Sequence, residues 1–130
     1  MKEDFVTYEQ AVKLKELGFD WKCNHWYHPL EPEKIIECQT YCNHNSFERP
    51  YSAPTLAQVA KWLRDVKGLI IYSEPRFYKG KKPLLGYEYH LFNKKDGYYS
   101  HIESETIYDT YEEALSEGIN EALELIKEKK

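Results

Sequence analysis

The sequence predicts an α+β fold in which three helices pack on one face of a small antiparallel β-meander, in the order α-(ββ)-α-β-β-β-α. Three observations carry that reading. Thr7 with Gln10, Thr55 with Gln58 and Thr110 with Glu113 each write a helix-start signal directly before an apolar-periodic run. Leu85, Tyr87, Tyr89 and Leu91 alternate with Gly86, Glu88 and His90, the period of a strand with one buried face. Turn chemistry at Gly80-Lys81-Lys82-Pro83 and at Lys94-Lys95-Asp96-Gly97 joins consecutive strands closely, which forces them antiparallel.

The elements follow in order. Helix one is expected from about Tyr8 to Leu17, with Val6 and Ala11 at the staple positions, Leu14 and Leu17 on the apolar face, and Gly18 as a left-handed stop. Residues Phe19 to Tyr27 and Lys34 to Cys38 are short apolar runs separated by Pro29 and Pro32, read as a weak hairpin or irregular arm. Gln39 to Pro54 reads as loop, and a loop that long is either packed by its own side chains or functional.

Helix two begins at Thr55, places Leu56, Val59, Ala60, Leu63 and Val66 on one face with Trp62 at its edge, and ends at Gly68. Leu69 to Tyr72 is a β-prone run that Arg76 to Lys79 extends past Pro75, and Tyr98 to Glu103 returns beside the alternating strand. Helix three runs from Tyr111 to about Lys127 and presents Ala114, Leu115, Ile119, Ala122, Leu123 and Ile126. Its first-turn Glu112 and Glu113 and its terminal Lys127, Lys129 and Lys130 match the helix dipole. Gly118 in mid-helix costs about 1 kcal/mol against alanine, and is read either as a close approach of another backbone or as a tolerated defect.

The 130 residues form one expected domain, large enough to bury a core without metals or disulfides. A net charge of -4 argues against a generic phosphate-neutralising surface, while a local basic patch stays compatible with it. Acids in the Met1-Lys2-Glu3-Asp4 start oppose a signal peptide, and no apolar run approaches a membrane span, so a cytoplasmic chain with reduced thiols is expected.

Three segments resemble a known group: Phe5-Val6-Thr7-Tyr8-Glu9-Gln10-Ala11 through Leu17-Gly18-Phe19-Asp20, Ala53-Pro54-Thr55-Leu56-Ala57-Gln58 through Trp62-Leu63-Arg64, and Tyr111-Glu112-Glu113-Ala114-Leu115 through Leu125. The group is that of small uncharacterised proteins encoded by phages and prophage-like elements of anaerobic gut bacteria. The resemblance implies no activity, cofactor or catalytic residue, and the cysteines and histidines between its first two segments are not part of its pattern.

Four constellations carry candidate chemistry. Cys23, His25, Cys38 and Cys42, with His28 and His44 nearby, are zinc-type ligands, but only Cys38 and Cys42 pair at structural-zinc spacing, and inert thiols explain the rest. No nucleophile elbow and no phosphate loop is present, so an enzyme is not the favoured class. Arg76, Lys79, Lys81 and Lys82, interleaved with Phe77 and Tyr78, form a basic-aromatic hairpin tip that suits nucleic acid, or else a solvated tip that keeps an edge strand from pairing. Tyr87, Tyr89, Tyr98 and Tyr99 either pack within the chain or form an open Tyr-rich sheet face. The resulting expectation is a non-enzymatic interaction protein that binds a phage or host protein, or itself as a homodimer, through that face and the Gln39 to Ser52 loop. The alternatives are a nucleic-acid-binding accessory protein and a zinc-stapled domain.

Overall fold

The structure is a computed structural model that describes the backbone of residues 4–78, 81–95 and 97–128, and side chains throughout these ranges except at 81, 82, 95 and 128. Among the described residues the fold is α+β, with three α-helices and two three-stranded antiparallel sheets in the order α-βββ-α-βββ-α. The chain packs as two compact units, 1–58 and 59–130.

The first unit holds α1 (Tyr8–Glu16), β1 (Cys23–His28), β2 (Glu31–Cys42) and β3 (Tyr51–Ser52), in the strand order β2-β1-β3. The Thr7 capping box closes in both directions: Gln10 N–H donates to Thr7 Oγ1 at 3.2 Å, and Thr7 N–H to Gln10 Oε1 at 2.9 Å. At the other end Gly18 takes φ +91, with Phe19 N–H bonded to Leu14 O and Gly18 N–H to Lys15 O, the paired bonds of a Schellman stop. Val6, Ala11 and Leu14 are buried, and Tyr27 Oη donates to Val6 O at 2.7 Å.

The arm of residues 19–38 is a true hairpin, longer than the sequence predicts, because β2 runs on to Cys42 through a bulge between the Cys23–Cys42 and His25–Glu37 pairs. The predicted Gln39 to Pro54 loop is correspondingly shorter. It keeps a 3₁₀ turn at His44–Ser46 and the strand β3, which pairs with β1. Its own and neighbouring side chains order it. Asn45 bridges Phe19 O and Ser52 N, and the Lys15 ammonium donates to the carbonyls of Phe47, Glu48 and Pro50 at 2.7, 2.9 and 3.0 Å.

Helix α2 (Leu56–Trp62) starts on Thr55, whose Oγ1 accepts Gln58 N–H at 3.1 Å. The Gln58 side-chain Nε2 also donates to Lys22 O at 2.8 Å. A π-helical turn, Leu63–Lys67, follows and ends at Gly68 with φ +72. Trp62, predicted at the edge, is buried in the α-helical part, and the wider winding that follows shifts the helical phase so that Val66, predicted on the apolar face, is 53% exposed.

The second unit holds β4 (Leu69–Tyr78), β5 (Lys81–Lys95), β6 (Tyr98–Glu103) and α3 (Tyr111–Glu128). The meander is antiparallel in the order β4-β5-β6, with Leu69 opposite Asn93, Arg76 opposite Gly86 and His90 opposite Glu103. Pro75 is accommodated because β4 is an edge strand. Helix α3 covers β4 and β5, burying Ala114, Leu115, Ile119, Ala122 and Leu123 as the periodicity predicts. A Cβ on Gly118 would lie 2.5 Å from Ile71 Cδ1 and 3.0 Å from Tyr89 Cβ, so the close approach comes from sheet side chains rather than a backbone. After β6 the chain continues beside β5, where Tyr87 and Tyr108 exchange N–H···O bonds of 2.8 Å in both directions. The predicted turn residues Gly80 and Asp96, like Lys129 and Lys130, lie outside the described residues.

Candidate functional site: the polar face of the β4-β5-β6 sheet

Strand alternation decides what each sheet face carries. Leu69, Ile71 and Ser73 of β4 and Leu91, Tyr89 and Tyr87 of β5 share the face that α3 covers. Tyr89 packs under Gly118 and stacks with Tyr108, and Tyr87 meets Tyr111 edge-on. The expectation that Tyr87 and Tyr89 form an open face is therefore corrected. They sit in register with the buried Leu91, and the same two-residue period carries all three to the helix side. Burial raises the Tyr89 phenol above its ordinary value, and nearby Glu121 adds to the effect. Tyr98 and Tyr99 are exposed, and register places only Tyr99 on the face away from α3.

That opposite face is built from Tyr72, Glu74 and Arg76 of β4, Glu88, His90 and Phe92 of β5, and Tyr99, His101 and Glu103 of β6. Four of its rings stand nearly parallel. Tyr72 lies 5.2 Å from His90 and 6.2 Å from Phe92, and His101 lies 5.0 Å from His90 and 4.5 Å from Phe92, all within 16° of coplanar orientation. His90, at the centre, is 6% exposed and Glu88 is 7% exposed.

Polar contacts tie this centre together. Arg76 Nη1 donates to Glu88 Oε2 at 3.0 Å, His90 Nε2 lies 2.7 Å from Glu74 Oε1, and His90 Nδ1 lies 2.8 Å from His101 Nε2. Burying two ionisable side chains costs several kcal/mol unless partners compensate, and the Arg76 bond to Glu88 and the His101 bond to His90 Nδ1 offset part of that cost. The predicted site residues do not include this cluster, although the sequence carries a signal for it. Glu88-x-His90 and His101-x-Glu103 are mirror spacings on two strands joined by a tight turn, and antiparallel pairing with period-two alternation brings such pairs to one face.

The other predicted sites fare differently. Arg76, Phe77 and Tyr78 end β4, with Phe77 and Tyr78 exposed, and Arg76 is engaged by Glu88. Lys79 lies outside the described residues, as do the side chains of Lys81 and Lys82. Of the zinc-type set, Cys23 and Cys42 pair across β1 and β2, and the His44 ring nitrogens lie 3.7 and 3.8 Å from Cys42 Sγ, while Nε2 lies 2.9 Å from the Cys23 carbonyl oxygen rather than its thiol. His25 instead packs against Phe5, ring centroids 4.3 Å apart and tilted by 45°. Among the described residues, the groups that bring three metal-ligating side chains together are Glu74, Glu88 and His90, and His90, His101 and Glu103; neither includes a cysteine. Cys23 lines a cavity of about 200 Å³ with Phe5, His25, Tyr41, Ala53 and Thr55, and burial pushes its thiol up. A raised thiol pKa opposes a nucleophilic role, which needs thiolate.

No helix of the described chain is long and apolar enough to cross a membrane. No protein-family model, no curated protein and no solved structure matches the chain.

Proposed function

We propose that this chain is a non-enzymatic interaction protein that binds a basic polypeptide, of phage or host origin, through the β4-β5-β6 face turned away from α3. The observation that carries the reading is the row of parallel rings, Tyr72, His90, His101 and Phe92, bordered by the carboxylates of Glu74 and Glu103. Planar guanidinium groups stack on such rings and pair with such carboxylates, so an arginine-bearing segment fits both parts of the surface. The chain's own charge of -4 favours encounter with a cation-rich partner.

The test is fluorescence anisotropy with labelled ten-residue peptides that differ only in carrying arginine, lysine or glutamate. Arginine peptide should bind best, and Tyr72→Ala and Glu103→Gln should each weaken it several-fold. Equal binding of all three peptides, or indifference to both substitutions, would overturn the reading. Light scattering separates self-association, which would place a second copy on this face instead. Exposed Phe77 and Tyr78 support nucleic acid as a second reading. It requires retention of single strands at low salt and steep loss of binding as salt rises.

A further inference from the structure

At the β4-β5 side of the ring row, the geometry points to a divalent transition-metal site whose protein ligands are Glu74, Glu88 and His90. It does not depend on the partner reading above. Glu74 Oε1 lies 2.7 Å and Glu88 Oε1 lies 3.5 Å from His90 Nε2, and the ligand atoms of all three side chains fall within 4.8 Å of one another. Ligand atoms held at about 2.1 Å from one ion in octahedral or tetrahedral geometry are about 3.0 to 3.4 Å apart, so small side-chain shifts bring this trio onto a common ion.

Two further features distinguish the trio from an ordinary surface cluster. His90 Nε2 is buried, and among the described residues it receives and gives no aligned hydrogen bond, although Glu74 is close. A buried nitrogen left in that condition is costly unless something else meets it. The surrounding contacts also aim the ligands. The bond between His90 Nδ1 and His101 Nε2 leaves the Nε2 lone pair toward the two carboxylates when Nδ1 carries the proton, which is how ligating histidines are commonly oriented. Arg76 holds Glu88 Oε2, which leaves Oε1 facing His90.

One imidazole nitrogen and two carboxylate oxygens form a mixed donor set that suits Zn²⁺, Mn²⁺ or Co²⁺ better than Mg²⁺ or Ca²⁺, which prefer oxygen throughout. Glu103 Oε2, 3.9 Å from His90 Nδ1 on the far side of the ring, belongs to the supporting shell rather than to the trio.

The experiment uses the full chain, stripped with chelator, and titrates Zn²⁺ by calorimetry and Co²⁺ by visible absorption. One ion per chain is expected, with Co²⁺ giving ligand-field bands and Mg²⁺ failing to compete. Glu74→Gln and His90→Gln should each weaken Zn²⁺ binding at least tenfold, and Cys42→Ser should leave it unchanged. Glu74 is half exposed, so its substitution reports on the site even if the His90 variant fails to fold. Absence of Zn²⁺ and Co²⁺ binding, undiminished binding by Glu74→Gln, or loss of binding in Cys42→Ser would overturn the proposal.

Discussion

Replacing Gly86 with alanine should unlatch the chain after β6. Gly86 takes φ +150, a backbone conformation L side chains rarely adopt, and a Cβ there would lie 2.6 Å from the Tyr108 carbonyl oxygen and 2.5 Å from Ile107 Cγ2. The carbonyl is backbone and cannot swing aside, so relief requires the 104–108 segment to move off β5. That movement breaks the two 2.8 Å bonds between Tyr87 and Tyr108. At about 1 kcal/mol net per hydrogen bond, the bridge accounts for about 2 kcal/mol. Backbone strain adds on the order of 1 kcal/mol, for a total near 3 kcal/mol. Urea denaturation should show the lower stability, and hydrogen exchange should show the Tyr108 amide losing protection while Ile71 and Leu91 keep theirs relative to global unfolding. An alanine variant within about 0.5 kcal/mol of the parent, with Tyr108 still protected, would refute the close-packed bridge.

The other predictions rest on equally local features. Gly118→Ala should lower stability by about 1 kcal/mol by urea denaturation, because overpacking against Ile71 and Tyr89, at about 1 to 3 kcal/mol, outweighs the helix-propensity gain of about 1 kcal/mol. A stabilised variant would contradict the contact. Lys15→Met removes three charge-assisted bonds to the 47–50 carbonyls, and should cost about 1 to 2 kcal/mol and expose Glu48 to a glutamate-specific protease. Unchanged cleavage would show that the loop is held by other means. Burial raises the Cys23 thiol above its ordinary value of 9.0. The unfolded thiol therefore ionises first as pH rises, and stability should fall above about pH 9 in a way that Cys23→Ala abolishes. Parallel pH profiles for the two proteins would remove that assignment.

Much of this architecture was written in local sequence signals. Thr7, Thr55 and Thr110 each accept the N–H three residues on, and the α3 periodicity names its buried residues. These signals act within a few residues, so no tertiary knowledge is needed to read them. The β2 extension, by contrast, depends on a bulge that pairing with β1 creates, and the 47–50 loop is set by a lysine more than thirty residues earlier. Neither leaves a local trace.

The site was half legible. Alternation alone puts Tyr87 and Tyr89 with Leu91, and the same alternation puts Glu88 beside His90 on the other face. What the sequence conceals is that those polar residues are buried. His90 is covered by Tyr72 of β4 and His101 of β6, and Glu88 is met by Arg76 of β4, partners that neighbouring strands bring alongside only once the register is formed.

Amide chemical-shift mapping on ¹⁵N-labelled protein, titrated with the arginine peptide, tests most directly where this protein does its binding. Shifts concentrated at Tyr72, Glu74, Glu88, His90, Phe92, His101 and Glu103 are the expected result. Shifts centred on α3 and 104–108, or none at millimolar peptide, would contradict it.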